Sequence, residues 1–216
     1  MRKEKGRMEK IDFTNPDYEF DDIAEQVFYP IYDVIAQDLL EETGIVSGSM
    51  LDVGCGGGHL GFAVMGKSDL TGDFVDINAT AVRLAEERSK RLGVWERSRF
   101  YRADVVSLPF EDQSFDLVIS RGSMFFWEDQ ERAFSEILRV LKPGGKTYIG
   151  GGLGRPWQRK AIMERMDELG LVCMGRQKDA SMALTDGEYR SLAERLGRPL
   201  SIVDDEERGH WLVFEG

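Results

Sequence analysis

The sequence has only two cysteines and two histidines in 216 residues, and that scarcity removes several chemistries at the outset. Cys55 and Cys173 supply neither paired metal-ligand spacing nor a disulfide framework, so no metal is expected and a reducing, cytoplasmic setting fits. No apolar run approaches the roughly 20 residues of a membrane-spanning helix. The basic start MRKEKGRMEK leads into no apolar signal core. Residues 1–16 therefore read as a solvated tail, with targeting as the alternative, and 17–216 as one domain. Basic residues are in deficit: 28 Lys and Arg against 39 Asp and Glu leave a net charge of −11. That balance argues against nucleic acid, whose phosphate backbone is gripped by clustered Lys and Arg. Repeats and low-complexity linkers are missing as well. An apolar content of 42% is ordinary for a globular chain of this length, which buries roughly 70% of its unfolded surface.

Glycine, by contrast, is concentrated. In MLDVGCGGGHLGFAVM, Met50 to Met65, an apolar run suited to a buried strand meets Gly54, Gly56, Gly57 and Gly58 before a helical stretch that Gly66 ends. Glycines at a strand-to-helix turn permit positive φ and let a ligand approach the main chain. The bland alternative is a tight turn without a ligand, but four glycines in five residues exceed what a turn needs. A dinucleotide fingerprint would require a third glycine where this chain has His59. The spacing Asp52-x-Gly54-x-Gly56-x-Gly58 instead resembles motif I of class I S-adenosylmethionine (SAM) methyltransferases. Charge separates the two ligands: pyrophosphate is anionic and suits a bare helix N-terminus, whereas SAM carries a sulfonium and an ammonium that an acid at Asp52 suits. Cys55, inside the turn, reads as a small residue packed beneath the ligand rather than a reactive thiol.

A second strand ends near Asp76, 22 positions after Gly54, where doubly wound folds hold ribose hydroxyls with a carboxylate; Asn78 can cap the helix that follows. A third strand near Arg99–Arg102 leads to Ala103-Asp104-Val105, and FDLVIS forms a fourth, Asp116–Ser120. Helical spacing from Asp129 is stopped by LKPGG before a fifth strand, Lys146–Ile149, and then Gly150, Gly151 and Gly152, where backbone can lie close to a substrate. The glycine turn, Asp76, Asp104, FDLVIS and LKPGG, in that order, resemble the methyltransferase family, and within it the ubiquinone/menaquinone-biosynthesis-like group and small archaeal members sharing an SRGS and FFWED stretch. The resemblance covers Met50 to Gly152. It implies a doubly wound, Rossmann-like α/β fold: a seven-stranded sheet ending in an antiparallel hairpin, here Leu200–Asp204 and His210–Phe214. It also implies SAM as cofactor, S-adenosylhomocysteine (SAH) as product, and cofactor contacts at Asp52, Gly54, Cys55, Gly56, Asp76, Ile77, Asp104, Val105, Ser120, Arg121 and Gly122. In that family an acid at Asp104 accepts from the adenine amino group while Val105 offers its amide.

Before the core, Ile23, Val27, Ile31, Val34, Ile35 and Leu39 fall at helical spacing and Pro30 interrupts them. Two helices are expected from Asp17 to Thr43, the second running from near Pro30 to Gly44 and the pair covering the mouth of the site. At the joint, Phe28, Tyr29 and Tyr32 read either as a lid or as packing. Arg121-Gly122-Ser123-Met124-Phe125-Phe126-Trp127 follows the fourth strand, where α/β sheets bind and react. Phe125, Phe126 and Trp127, with Tyr29 and Tyr32, are candidate walls for a small acceptor, with plain core as the alternative. The loop holds no histidine to act as general base. That points to a soft or easily ionised nucleophile such as a thiol, with Arg121 facing either an anionic acceptor or the SAM carboxylate. The alternatives are methylation of RNA or protein, or a non-catalytic SAM-binding module. Oligomeric state is not legible.

Overall fold

The computed structural model describes residues 20–170 and 184–216; the expected tail over 1–16, the helix start at Asp17 and Cys173 lie outside the described residues. Five strands run parallel: β1 (Ser47–Val53), β2 (Asp69–Asp76), β3 (Ser98–Arg102), β4 (Phe115–Arg121) and β5 (Leu141–Gly151). β6 (Leu200–Asp205) and β7 (Gly209–Phe214) form the antiparallel hairpin, and the sheet order is β3-β2-β1-β4-β5-β7-β6. Both faces are covered, which is why the strands are apolar at successive positions rather than alternately. Met50, Leu117, Ile119, Tyr148 and Trp211 face one core, while their neighbours Leu51, Val118, Ile149 and Leu212 face the other.

The first core is closed by α1 (Phe20–Ile23), a π-helical turn (Ala24–Phe28), α2 (Tyr29–Thr43), α3 (His59–Met65) and α4 (Ala79–Arg91); the second by α5 (Gln130–Val140). α6 (Pro156–Leu169) joins the first core and α7 (Asp186–Leu196) the second. Local signals set the ends: Asn78 accepts from the Thr80 amide at the start of α4, and Asp129 from the Arg132 amide at the start of α5. Gly44 takes φ 71° where α2 stops. No described helix is long and apolar enough to cross a membrane.

Three expectations change. The helix expected from near Pro30 to Gly44 is α2, with the proline in its first turn, but no break precedes it: α1, the π turn and α2 form one unbroken helical run. The fifth strand begins at Leu141 rather than Lys146, because LKPGG stays within it as a bulge: the register jumps from Phe115–Leu141 to Leu117–Lys146. Finally, Gly150 and Gly152 serve strand packing, since a Cβ there would collide with the carbonyls of His210 and Arg208.

Candidate active site

Strand order reverses between β1 and β4, the place where an open α/β sheet forms a crevice. A cavity of about 830 Å³ lies there. The end of β1 and its turn contribute Asp52, Gly54, Cys55 and Gly56; β2 contributes Asp76 and Ile77. The segments after β3 and β4 add Asp104, Val105, Arg121, Gly122, Phe126 and Trp127. The N-terminal helical run closes one side with Phe20, Ile23, Ala24 and Tyr32.

Gly54, Gly56 and Gly58 all have positive φ, at 63°, 53° and 80°. Their neighbourhoods differ. A Cβ at Gly54 would strike the Ser123 side chain, one at Gly57 would strike Asp21 and Arg88, and one at Gly56 would meet nothing within 4 Å. Only Gly56 keeps its space for something other than protein. The turn is fixed by the Cys55 amide donating to Val75 O (3.0 Å) and the Gly58 amide to Cys55 O (2.8 Å). Burial, then Asp52 and Asp76, push the Cys55 thiol well above its usual range, so it stays neutral.

Five carboxylates line the cavity, Asp52, Asp76, Asp104, Glu128 and Asp129, and the first three sit at or just beyond the ends of β1, β2 and β3. Asp52 is buried and accepts from the Gly61 amide at 3.1 Å; desolvation, reinforced by Asp76, pushes its pKa up to about 8. Asp76 accepts from the Gly56 amide through Oδ2 and from the Asn78 amide through Oδ1, both at 2.9 Å. Each oxygen retains a lone pair for a further donor. Asp104 is exposed and accepts from the Val106 amide at 3.1 Å.

Several expected residues lie elsewhere. Tyr29 is 62% exposed and does not line the cavity; the helical run turns Tyr32 inward instead. Phe125 and Trp127 both pack against the second core, Trp127 edge-on to Phe134; Trp127 and the exposed Phe126 also line the cavity, and Phe125 does not. Ser120 is fully buried and pairs with Ser123 Oγ at 2.6 Å, and Ser123 donates on to Val53 O. It braces β4 against β1 rather than facing the cavity. Arg121 donates to Gly152 O and lies 4.9 Å from the Phe28 ring and 5.3 Å from the Tyr32 ring.

The cluster the sequence did not disclose is formed by Asp21, Glu25, His59 and Arg88. Arg88 is buried and pairs with Asp21 (2.8 Å) and Glu25 (2.6 Å). His59 Nε2 is 3.4 Å from Glu25 and Nδ1 3.8 Å from Asp21, and the ring stacks on Tyr32. Burial and the Arg88 charge hold the His59 pKa below its usual value, against the pull of the two acids. The only available signal was Asp21 and Glu25 at helical spacing, which a solvated helix face would also give.

A family described as "methyltransferase domain" matches residues 51–149. A putative S-adenosyl-L-methionine-dependent methyltransferase structure from Methanococcus maripaludis is 32% identical, with a TM-score of 0.81, over 90% of this chain and 89% of that one. Among curated proteins, 27-O-demethylrifamycin SV methyltransferase of Amycolatopsis mediterranei is 32% identical over 56% of this chain and 45% of its own length. Erythromycin 3''-O-methyltransferase of Saccharopolyspora erythraea is 36% identical over 54% and 39%. The matched region thus spans less than half the length of these two curated relatives.

Proposed function

Because the chain belongs to the S-adenosylmethionine-dependent methyltransferases, we propose that it transfers the methyl group of SAM to a small-molecule acceptor and releases SAH. The observation that carries this is the grouping of Asp52, Asp76 and Asp104 around a glycine turn whose Gly56 leaves room for a ligand. Bound SAM supplies an electrophilic methyl group: the acceptor's lone pair bonds to the methyl carbon as the carbon–sulfur bond breaks and its electrons return to sulfur. The protein's contribution is alignment and charge. In this assignment Asp76 holds the ribose diol, Asp104 and the Val105 amide hold adenine, and Asp52 faces the cationic methionine portion. Arg121 contacts either the cofactor carboxylate or an anionic acceptor.

The acceptor end is bounded by Tyr32, Phe126 and Trp127. His59, the one histidine among the lining residues, has both ring nitrogens turned toward carboxylates, which supports an acceptor that loses its proton without help. A soft or easily ionised nucleophile, such as a thiol, meets that requirement. The experiment is a panel of thiols, phenols, amines and carbon acids assayed for SAH release. Turnover is expected on thiols or acidic phenols, and Trp127→Ala is expected to lower kcat/KM roughly tenfold, about 1.4 kcal/mol of aromatic contact. Turnover confined to carbon acids, or full activity in Trp127→Ala, removes the acceptor assignment.

Two expectations concern the cofactor. Asp104→Ala should weaken SAH binding about tenfold, the net worth of one hydrogen bond to a charged group, with the melting temperature little changed because the side chain is exposed. Calorimetry with a thermal melt checks this; unfolding, or unchanged affinity, makes Asp104 a structural cap. Asp52 makes binding pH-dependent. Its folded pKa of about 8 lies above the usual carboxylate value, so the free protein keeps a proton that the unfolded chain loses. This group therefore lowers apo stability as pH rises from about 4 toward 8. A cationic ligand favours the carboxylate, so SAM binding should release a proton below pH 8 and strengthen up to that pH. Titrations in buffers of differing ionisation enthalpy measure the proton; Asp52→Asn should abolish its release.

A further inference from the structure

Of the cavity's lining residues Ile77, Asp104 and Phe126 are exposed, whereas Asp52, His59, Tyr32, Ile23 and Ala24 are buried. Ile23 and Ala24 belong to the segment Phe20–Phe28, formed by α1 and the π turn, which walls the cavity together with Phe20. Building on the assignment of SAM to this cavity, we propose that Arg88, with Asp21 and Glu25, is a latch that holds this segment closed over the bound cofactor and so sets how long the cofactor is retained.

The latch joins three parts of the chain. Asp21 and Glu25 lie four residues apart, one helical turn, and present their carboxylates together. Arg88, from α4, meets both: its Nη1 and Nη2 take the two Asp21 oxygens at 3.0 and 2.8 Å, and Nε and Nη2 share Glu25 Oε1 at 3.2 and 2.6 Å. Arg88 Nη1 also donates to the Gly57 carbonyl, inside the glycine turn. One guanidinium therefore ties the covering segment to the loop beneath the cofactor. Gly57 has no side chain because a Cβ there would collide with Asp21 and Arg88.

The segment also has a place to pivot. The π turn ends immediately before α2, where Pro30 contributes no amide to the helical ladder. Beyond it α2 is fixed, with Ile31 and Leu39 fully buried and Gln158 Nε2 bonded to Pro30 O at 3.0 Å. Arg88 is buried while Asp21 is partly buried and Glu25 exposed; ion pairs so placed specify geometry more than they add stability, which suits an element that must open and reclose. Arg88 and its acids touch no reacting atom in this scheme; they are positioning residues.

His59 makes the latch sensitive to pH. The groups facing it are Asp21 and Glu25 from the covering segment, Arg88 from α4 and the stacked Tyr32 ring from α2. Its Nε2 is buried without a hydrogen bond. Burial and Arg88 disfavour its cation in the closed form, and opening returns it to water, so protonation favours opening. Cofactor release should then quicken as pH falls through about 6.5.

The test is the rate at which the full chain, loaded with labelled SAH, loses it to an unlabelled chase. Arg88→Met risks misfolding by leaving the partly buried Asp21 and its neighbour Glu25 without their cation, so it is paired with the triple variant Asp21→Asn, Glu25→Gln, Arg88→Met, which leaves no unpaired charge. The triple variant is expected to release SAH at least tenfold faster with a small change in association rate. The wild type is expected to release faster at pH 5.5 than at pH 7.5, and in an Asp52→Asn background, where the other titrating carboxylate is silent, His59→Asn is expected to lose the difference that remains. A folded triple variant with the wild-type release rate overturns the latch. So does slower release on adding Mg²⁺, Mn²⁺ or Zn²⁺ to the wild type, which would assign Asp21, Glu25 and His59 to a metal. Failure of the wild type to bind SAH at all removes the cofactor assignment itself, and the latch with it.

Discussion

Asp76→Ala is expected to weaken SAH binding by roughly 100-fold, about 3 kcal/mol, with the fold retained. Two hydroxyl-to-carboxylate bonds are lost, each contributing about 1.5 kcal/mol or more net. The variant also loses the acceptors of the Gly56 and Asn78 amides, so the turn loosens where the cofactor lies against it. Asp76→Asn, which keeps one acceptor oxygen and no charge, should fall between. Calorimetric titration with SAH measures the effect, and a thermal melt shows whether the protein is intact. Wild-type affinity in folded Asp76→Ala would end the ribose assignment.

Gly56→Val should be as severe by a different route. The backbone there has φ 53°, so a β-branched residue costs about 1–2 kcal/mol in strain. The added side chain meets no protein atom near its Cβ, which leaves it in space the cofactor needs. The variant should fold and bind SAH more than 100-fold more weakly. Gly93→Val is the control: its φ is 71° and its Cβ would likewise meet nothing, but it does not line the cavity. It should share the strain and keep the affinity. If the two variants bind SAH alike, Gly56 is a turn residue and nothing more.

Where an element depends on neighbours in sequence, the sequence was sufficient. Asn78 and Asp129 mark the starts of α4 and α5, and Gly44 the end of α2. The hairpin strands were legible for the same reason. LKPGG was misjudged because proline and glycine normally end a strand, and only the partner strand β4 reveals that here they form a bulge. The glycine triplet at the end of β5 looked like a ligand turn, but the carbonyls of His210 and Arg208 on the hairpin explain two of its members.

The sequence by itself determined the strand–turn–helix at the cofactor end, the order of the strands along the chain, and which acids sit at strand ends. Those follow from side-chain period and from the few residues that tolerate positive φ, both local properties. Tertiary structure alone decided that Tyr32 rather than Tyr29 faces the cavity and that Phe126 and Trp127 line it while Phe125 does not. It also decided that Arg88 would cross from α4 to meet Asp21 and Glu25, because it joins residues more than 60 positions apart. A buried charge is stable only beside its partner, and no local pattern records where that partner will be.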